Sequence, residues 1–164
     1  MKSEPFASLV AEHIAATPVR ENLRSRGAVV LQRIARGAGQ TDWFYCGGVA
    51  DLDRVIGRLR PGSKVSFYFN EQIRRCRYSE QTRMEIENVI AATGECVVGA
   101  LGDDGITMER DFVCSTEELV EFVDEHSTSE WWFYGAFPGW DNDGRDAVTL
   151  TLPDRDGVVR DHPI

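Results

Sequence analysis

The stretch Cys96-Val97-Val98-Gly99-Ala100-Leu101-Gly102-Asp103-Asp104-Gly105-Ile106-Thr107-Met108-Glu109-Arg110-Asp111-Phe112-Val113-Cys114-Ser115-Thr116-Glu117-Glu118 decides the fold class of this chain. Two apolar, β-branched runs flank Gly102-Asp103-Asp104-Gly105, whose glycines and aspartates supply the conformations of a tight turn, so the spacing predicts an antiparallel hairpin. Ser115-Thr116-Glu117-Glu118 follows at once. The serine is placed to accept from the Glu118 amide while Glu118 reaches back, and Leu119, Val120, Phe122 and Val123 form the apolar face of the helix behind this capping box. A hairpin that runs directly into a capped helix is α+β grammar.

Working outward, Phe6, Leu9, Val10, Ile14 and Ala15 recur at helical spacing, which predicts an N-terminal helical segment over residues 1–25, broken near Thr17-Pro18. Residues 28–34 and 42–46 read as two strands turned by Gly37-Ala38-Gly39-Gln40. Asp51 is expected to cap a helix with Leu52, Val55, Ile56 and Leu59 on one face. Lys64-Val65-Ser66-Phe67-Tyr68-Phe69 is a strong strand, expected to pair with Ile73–Tyr78 across Asn70-Glu71. Ser79 looks like the cap of the next helix and Gly94 its stop. Asp146–Leu152 and Val158–Arg160 read as the closing strands. Together these predict one α+β domain over 1–164, with a mostly antiparallel sheet of about six to nine strands over 28–164 and three or four packing helices.

At 164 residues the chain can bury roughly two-thirds of its unfolded surface and needs neither disulfide nor metal to fold. No run approaches the ~18 apolar residues of a membrane span, and no secretory signal opens the chain, so the expectation is a cytoplasmic protein. The four cysteines stand 30, 20 and 18 residues apart with no C-x-x-C pair, a spacing that favours buried thiols over a metal site. The net charge is −9, unevenly spread. Residues 1–100 hold 14 Lys/Arg against 11 Asp/Glu, whereas residues 101–164 hold 4 against 16. Such a field repels nucleic acid and speeds the approach of basic proteins.

No arrangement of residues announces catalysis. His13, His126 and His162 lie in no recognisable motif, and His126 suits the C-terminal end of a helix. Cys46-Gly47-Gly48 lacks the flanks of a nucleophile elbow. Arg36–Thr41 has neither a Walker lysine nor a dinucleotide spacing, and Asp141-Asn142-Asp143-Gly144 places its glycine too early for a calcium loop. Arg74, Arg75, Arg77 and Arg83 form a basic island read as pairing with acids of the last third. The expectation is therefore a non-enzyme with no cofactor, no metal, no nucleic acid and no membrane partner.

What stands out is surface. Ser129-Glu130-Trp131-Trp132-Phe133-Tyr134-Gly135-Ala136-Phe137-Pro138-Gly139-Trp140 holds three of the four tryptophans. Strand alternation divides Trp131, Phe133 and Phe137 from Trp132 and Tyr134, and the Pro138-Gly139 turn leaves Trp140 beside Asp141 and Asp143. Aromatic anchors with an acidic rim are a common grip on a basic partner. The expected contacts are Asp103, Asp104, Trp132, Tyr134, Trp140, Asp141, Asp143 and Arg145. The second expectation is a small-ligand or enzymatic α+β domain whose aromatic run lines a pocket near Cys46 or Asp141 and Asp143. The third is an acidic adaptor of the secretion-chaperone kind.

Lys64–Phe69, the Gly102-to-Gly105 hairpin with its capped helix, and the closing Asp156-Gly157-Val158-Val159-Arg160-Asp161-His162-Pro163 carry a resemblance over most of residues 28–164. Here the chain resembles the small acidic immunity proteins of actinobacterial polymorphic-toxin systems, including those that neutralise NAD-hydrolysing toxins. The resemblance implies a cytoplasmic, non-catalytic antitoxin that occludes the active site of a cognate toxin. It assigns no individual contact residue.

Overall fold

A computed structural model describes residues 4–34, 41–70, 73–126, 132–135 and 147–159. Among them the chain forms α1 (Glu4–Ala15), α2 (Val19–Leu23), β1 (Gly27–Arg33), β2 (Thr41–Cys46), α3 (Val49–Ile56), β3 (Lys64–Asn70), β4 (Arg74–Cys76), α4 (Glu80–Thr93), β5 (Cys96–Leu101), β6 (Met108–Val113), α5 (Thr116–Glu125), β7 (Trp132–Gly135) and β8 (Ala147–Thr151). The class is α+β, as the hairpin and its helix predict. The single sheet is corrected: there are two four-stranded sheets, ordered β2-β1-β3-β8 and β4-β7-β5-β6, and five helices rather than three or four.

Each strand pairing is antiparallel. The expected β3–β4 hairpin does not form. β3 lies between β1 and β8, and β4 pairs with β7 in the other sheet. The reason is burial: Val65, Phe67 and Phe69 each have 5% exposure or less, and a central position covers them where an edge hairpin would not. Val159 meets Pro153 only at an isolated bridge, so the closing segment adds no paired strand there.

Alternation along the strands assigns the layers. Ala28, Val30, Phe44, Cys46, Val65 and Phe67 share one face of the first sheet and pack against Phe6, Val10, Ile14, Leu23, Leu52 and Val55 of α1, α2 and α3. Cys96, Val98, Ala100 and Val113 share a face of the second sheet and pack against Ile86 of α4 and Leu119 and Phe122 of α5. The opposite faces meet in a third cluster, where Leu101 and Met108 join Val29, Tyr45 and Ile73. The order is therefore helices, sheet, sheet, helices.

Local signals act largely where expected. Ser79 accepts from the Thr82 amide at 3.2 Å, and Gly94 ends α4 at φ +94. Ser115 accepts from the Glu118 amide at 3.1 Å, while the Glu118 carboxylate reaches back to the Cys114 amide at 2.7 Å, one residue earlier than the sequence suggests. Asp51 is corrected in role. α3 begins at Val49 behind Gly48, and the Asp51 carboxylate accepts from the Gly47 amide at 2.9 Å.

Among the described residues the polar side chain of Gln32 sits fully inside. Gln32 belongs to the helix-facing side of β1, and its oxygen accepts from the Arg60 amide at 2.7 Å and the Ser63 hydroxyl at 3.0 Å. Its nitrogen donates to Asp42 at 3.0 Å and to the Arg58 carbonyl at 3.4 Å, so both lone pairs and both protons are used. The segment after α3 is thus stitched to the sheet. Gln32→Leu should cost roughly 1–3 kcal/mol because it removes the acceptor of the Arg60 amide, while the Ser63 hydroxyl keeps the Arg60 carbonyl at 2.9 Å. Urea denaturation should show a lower midpoint with an unchanged slope.

Candidate functional site

The β5–β6 hairpin tip is the first expected contact whose side chains can be followed. The Gly105 amide donates to the Gly102 carbonyl at 3.0 Å, and Gly105 takes φ +75, a left-handed conformation that glycine adopts without steric cost. The tip is not free. Arg58, just beyond α3, meets the Asp104 carboxylate at 2.7 Å, and Arg75 of β4 donates to the Gly105 carbonyl at 2.7 Å while its guanidinium lies 5.2 Å from the Tyr45 ring centre. The Tyr45 amide donates to the Ile106 carbonyl at 2.7 Å, and Phe44 bridges Thr107.

Asp104 is accordingly an internal fastener. One of its oxygens accepts from the Ile106 and Thr107 amides at 3.0 and 2.8 Å, and the other takes the Thr107 hydroxyl. Partial burial raises its pKa, but the Thr107 hydroxyl, the two amides and Arg58 outweigh this and hold the carboxyl below its ordinary value. Asp103, beside it, is exposed and makes no ion pair among the described residues.

The aromatic expectations divide differently. Trp132 falls in register with Cys76 and Ala100, and Tyr134 with Arg74 and Val98, so β7 is an inner strand. Ala100 stands two residues before Gly102, so the strand start at Trp132 and the acidic tip lie at the same end of the second sheet. Trp140, Asp141, Asp143 and Arg145 lie outside the described residues. The expected pairing of the basic island with acids of the last third is corrected for Arg83, which pairs with Glu80 and Glu87 of its own helix because they stand three and four residues away, while Arg75 donates to the Gly105 carbonyl at the hairpin tip.

The larger acidic surface was not among the singled-out residues. α5 carries Glu117, Glu118, Glu121, Asp124 and Glu125, all exposed, with no lysine or arginine in Thr116–Glu125. Register places Glu109 and Asp111 of β6 on the sheet face that α5 covers, both exposed. Glu118 is occupied by the cap, and Glu109 lies 3.3 Å from the His126 imidazole, whose ring contacts Phe122. Glu117, Glu121, Asp124 and Glu125 make no ion pair among the described residues. The signal was present in the sequence: Leu119, Phe122 and Val123 define the buried face of α5, and the acids are what remains.

Cys46 is fully buried, its thiol donating to the Gly48 carbonyl at 3.4 Å. Burial, with Asp51 nearby, pushes its pKa up to about 12, so it is a protonated thiol at neutral pH rather than a nucleophile. Among the described residues no group of three His, Cys, Asp or Glu could hold a metal ion, and no helix is long and apolar enough to cross a membrane.

The depressed Asp104 pKa gives its stabilisation a direction in pH. The contribution is fully present above the unfolded value of about 4 and is lost as pH falls through the lower folded value. Asp104→Asn should cost about 1–2 kcal/mol at neutral pH, and the gap from the wild type should close on acidification below about pH 4. Paired urea titrations across that range measure it.

No protein-family model, curated protein or solved structure matches the chain, so the functional reading rests on these residues.

Proposed function

We propose that the chain is a non-catalytic, immunity-type protein that binds a basic protein toxin in the cytoplasm and neutralises it by covering its active site. One observation carries this reading: Glu117, Glu121, Asp124 and Glu125 of α5 and Asp111 of β6 are exposed carboxylates that make no ion pair among the described residues, with no basic residue in Thr116–Glu125 and only the flanking His126, which faces Glu109. Internal pairing elsewhere makes the contrast informative. The Asp104 carboxylate is spent on fastening, whereas Glu117, Glu121, Asp124 and Glu125 remain available.

Such a face raises the encounter rate of a cationic partner and disfavours anionic ones, while apolar anchors supply the lasting affinity. Val120, 44% exposed, stands among the acids as a candidate anchor. The resemblance to acidic immunity proteins points to the same class of partner, with the NAD-hydrolysing toxins as its narrowest form.

The partner to test is the product of the adjacent gene. It should copurify in a stoichiometric complex that loosens with salt, and it should harm cells lacking this chain. The triple change Glu117→Lys, Glu121→Lys and Asp124→Lys should slow association by about tenfold or more at low salt while leaving thermal unfolding little changed. A neighbouring product that neither binds nor is toxic would sink the proposal.

A further inference from the structure

A groove of about 480 Å³ opens on the first helical layer, far in character from the acidic face. Phe6 of α1 together with Leu59 and Pro61 beyond α3 gives it an apolar lining, and three arginines, Arg58, Arg60 and Arg155, line it as well. Among the described residues no aspartate or glutamate lines it, although the whole chain carries a net charge of −9. Arg58 is committed to Asp104. Arg60 and Arg155 make no ion pair among the described residues, and the Arg155 guanidinium lies 6.0 Å from the Phe6 ring centre.

The geometry is held from beneath. Gln32 fixes the backbone at Arg58 and Arg60, so the segment carrying two of the three guanidiniums is anchored to the sheet. Across the turn the Gly62 amide donates to the Pro153 carbonyl at 3.0 Å, and the Leu152 amide donates to the Ser63 carbonyl at 2.9 Å. These bonds tie the segment that carries Arg155 to the one that carries Arg60. A volume within the roughly 300–1,000 Å³ of small-ligand pockets, with an apolar lining and two arginines that make no ion pair among the described residues, has the makings of a ligand site.

We infer that this groove binds a small phosphate monoester with an apolar, planar body. The charge decides the head group. Two uncommitted guanidiniums match the charge of about −1.5 to −2 that a phosphate monoester carries at neutral pH, and guanidiniums bond phosphate oxygens in pairs. The apolar lining decides the body: Pro61, half-buried, offers flat surface to a ring beside the Arg155 guanidinium, which overlies the buried Phe6 ring. The site uses none of the α5 carboxylates and is independent of toxin binding.

The test is an amide NMR titration of the full chain with naphthyl phosphate, with naphthol and inorganic phosphate run separately as the body and the head alone. Naphthyl phosphate should saturably shift the amides of Ala7, Gly57, Leu59 and Arg60, and each half should bind at least about tenfold more weakly. The Arg60→Ala/Arg155→Ala double variant should weaken binding by about tenfold or more. Arg60→Glu, which leaves the Arg155–Phe6 contact in place, should abolish it, with unmoved amides in β1 and β3 showing that the variant is folded. Unchanged binding by Arg60→Glu, equal binding of naphthol, equal binding of inorganic phosphate, or shifts confined to α5 would each overturn the assignment.

Discussion

The clasp on the β5–β6 tip is the constraint on which the arrangement of the two sheets depends. Each sheet has its own helices and core, and the apolar contact between them is a small cluster around Val29, Tyr45, Ile73, Leu101 and Met108 together with Ile106, which the β5–β6 tip buries in the core of the first sheet. A small apolar contact of this kind leaves relative orientation weakly specified. Arg58 from the first half and Arg75 from the second converge on Asp104 and Gly105, and the Tyr45–Ile106 bond sets the height at which the edges meet. Directional polar bonds therefore supply the specificity that the small cluster cannot.

That clasp also explains what the sequence conceals. The turn Gly102–Gly105, the caps Ser79 and Ser115 and the stop at Gly94 were legible because their physics is local: each joins groups within a few residues. The pairing of β3 with β1 and β8 was not, because it is decided by which strand buries Phe67 on the central line of a sheet, a competition among distant segments. Asp104 and Arg58 stand far apart in sequence, so nothing around Asp104 marks it as spoken for. The acidity of the last third was plain, but its concentration on α5 required converting a charge count into a helical face.

Gln32 shows the same principle inside the core. A polar residue on the inward side of β1 contradicts the apolar pattern of Ala28 and Val30, and the contradiction is resolved by backbone groups and the Ser63 hydroxyl from the segment after α3, with the Asp42 carboxylate of β2. Its four bonds let an irregular stretch run across the sheet without orphaned amides, and that stretch carries Arg58 to the clasp and Arg60 to the groove.

The layer order has one more consequence. Among the described residues, uncommitted carboxylates stand on α5 and two arginines without ion pairs line the groove beside α1, so two separate surfaces carry opposite local charge. A net charge draws a cationic body from any direction, whereas local charges of opposite sign act differently on its approach to each surface. On the function proposed above, a basic partner would be drawn to the α5 surface and repelled by the groove.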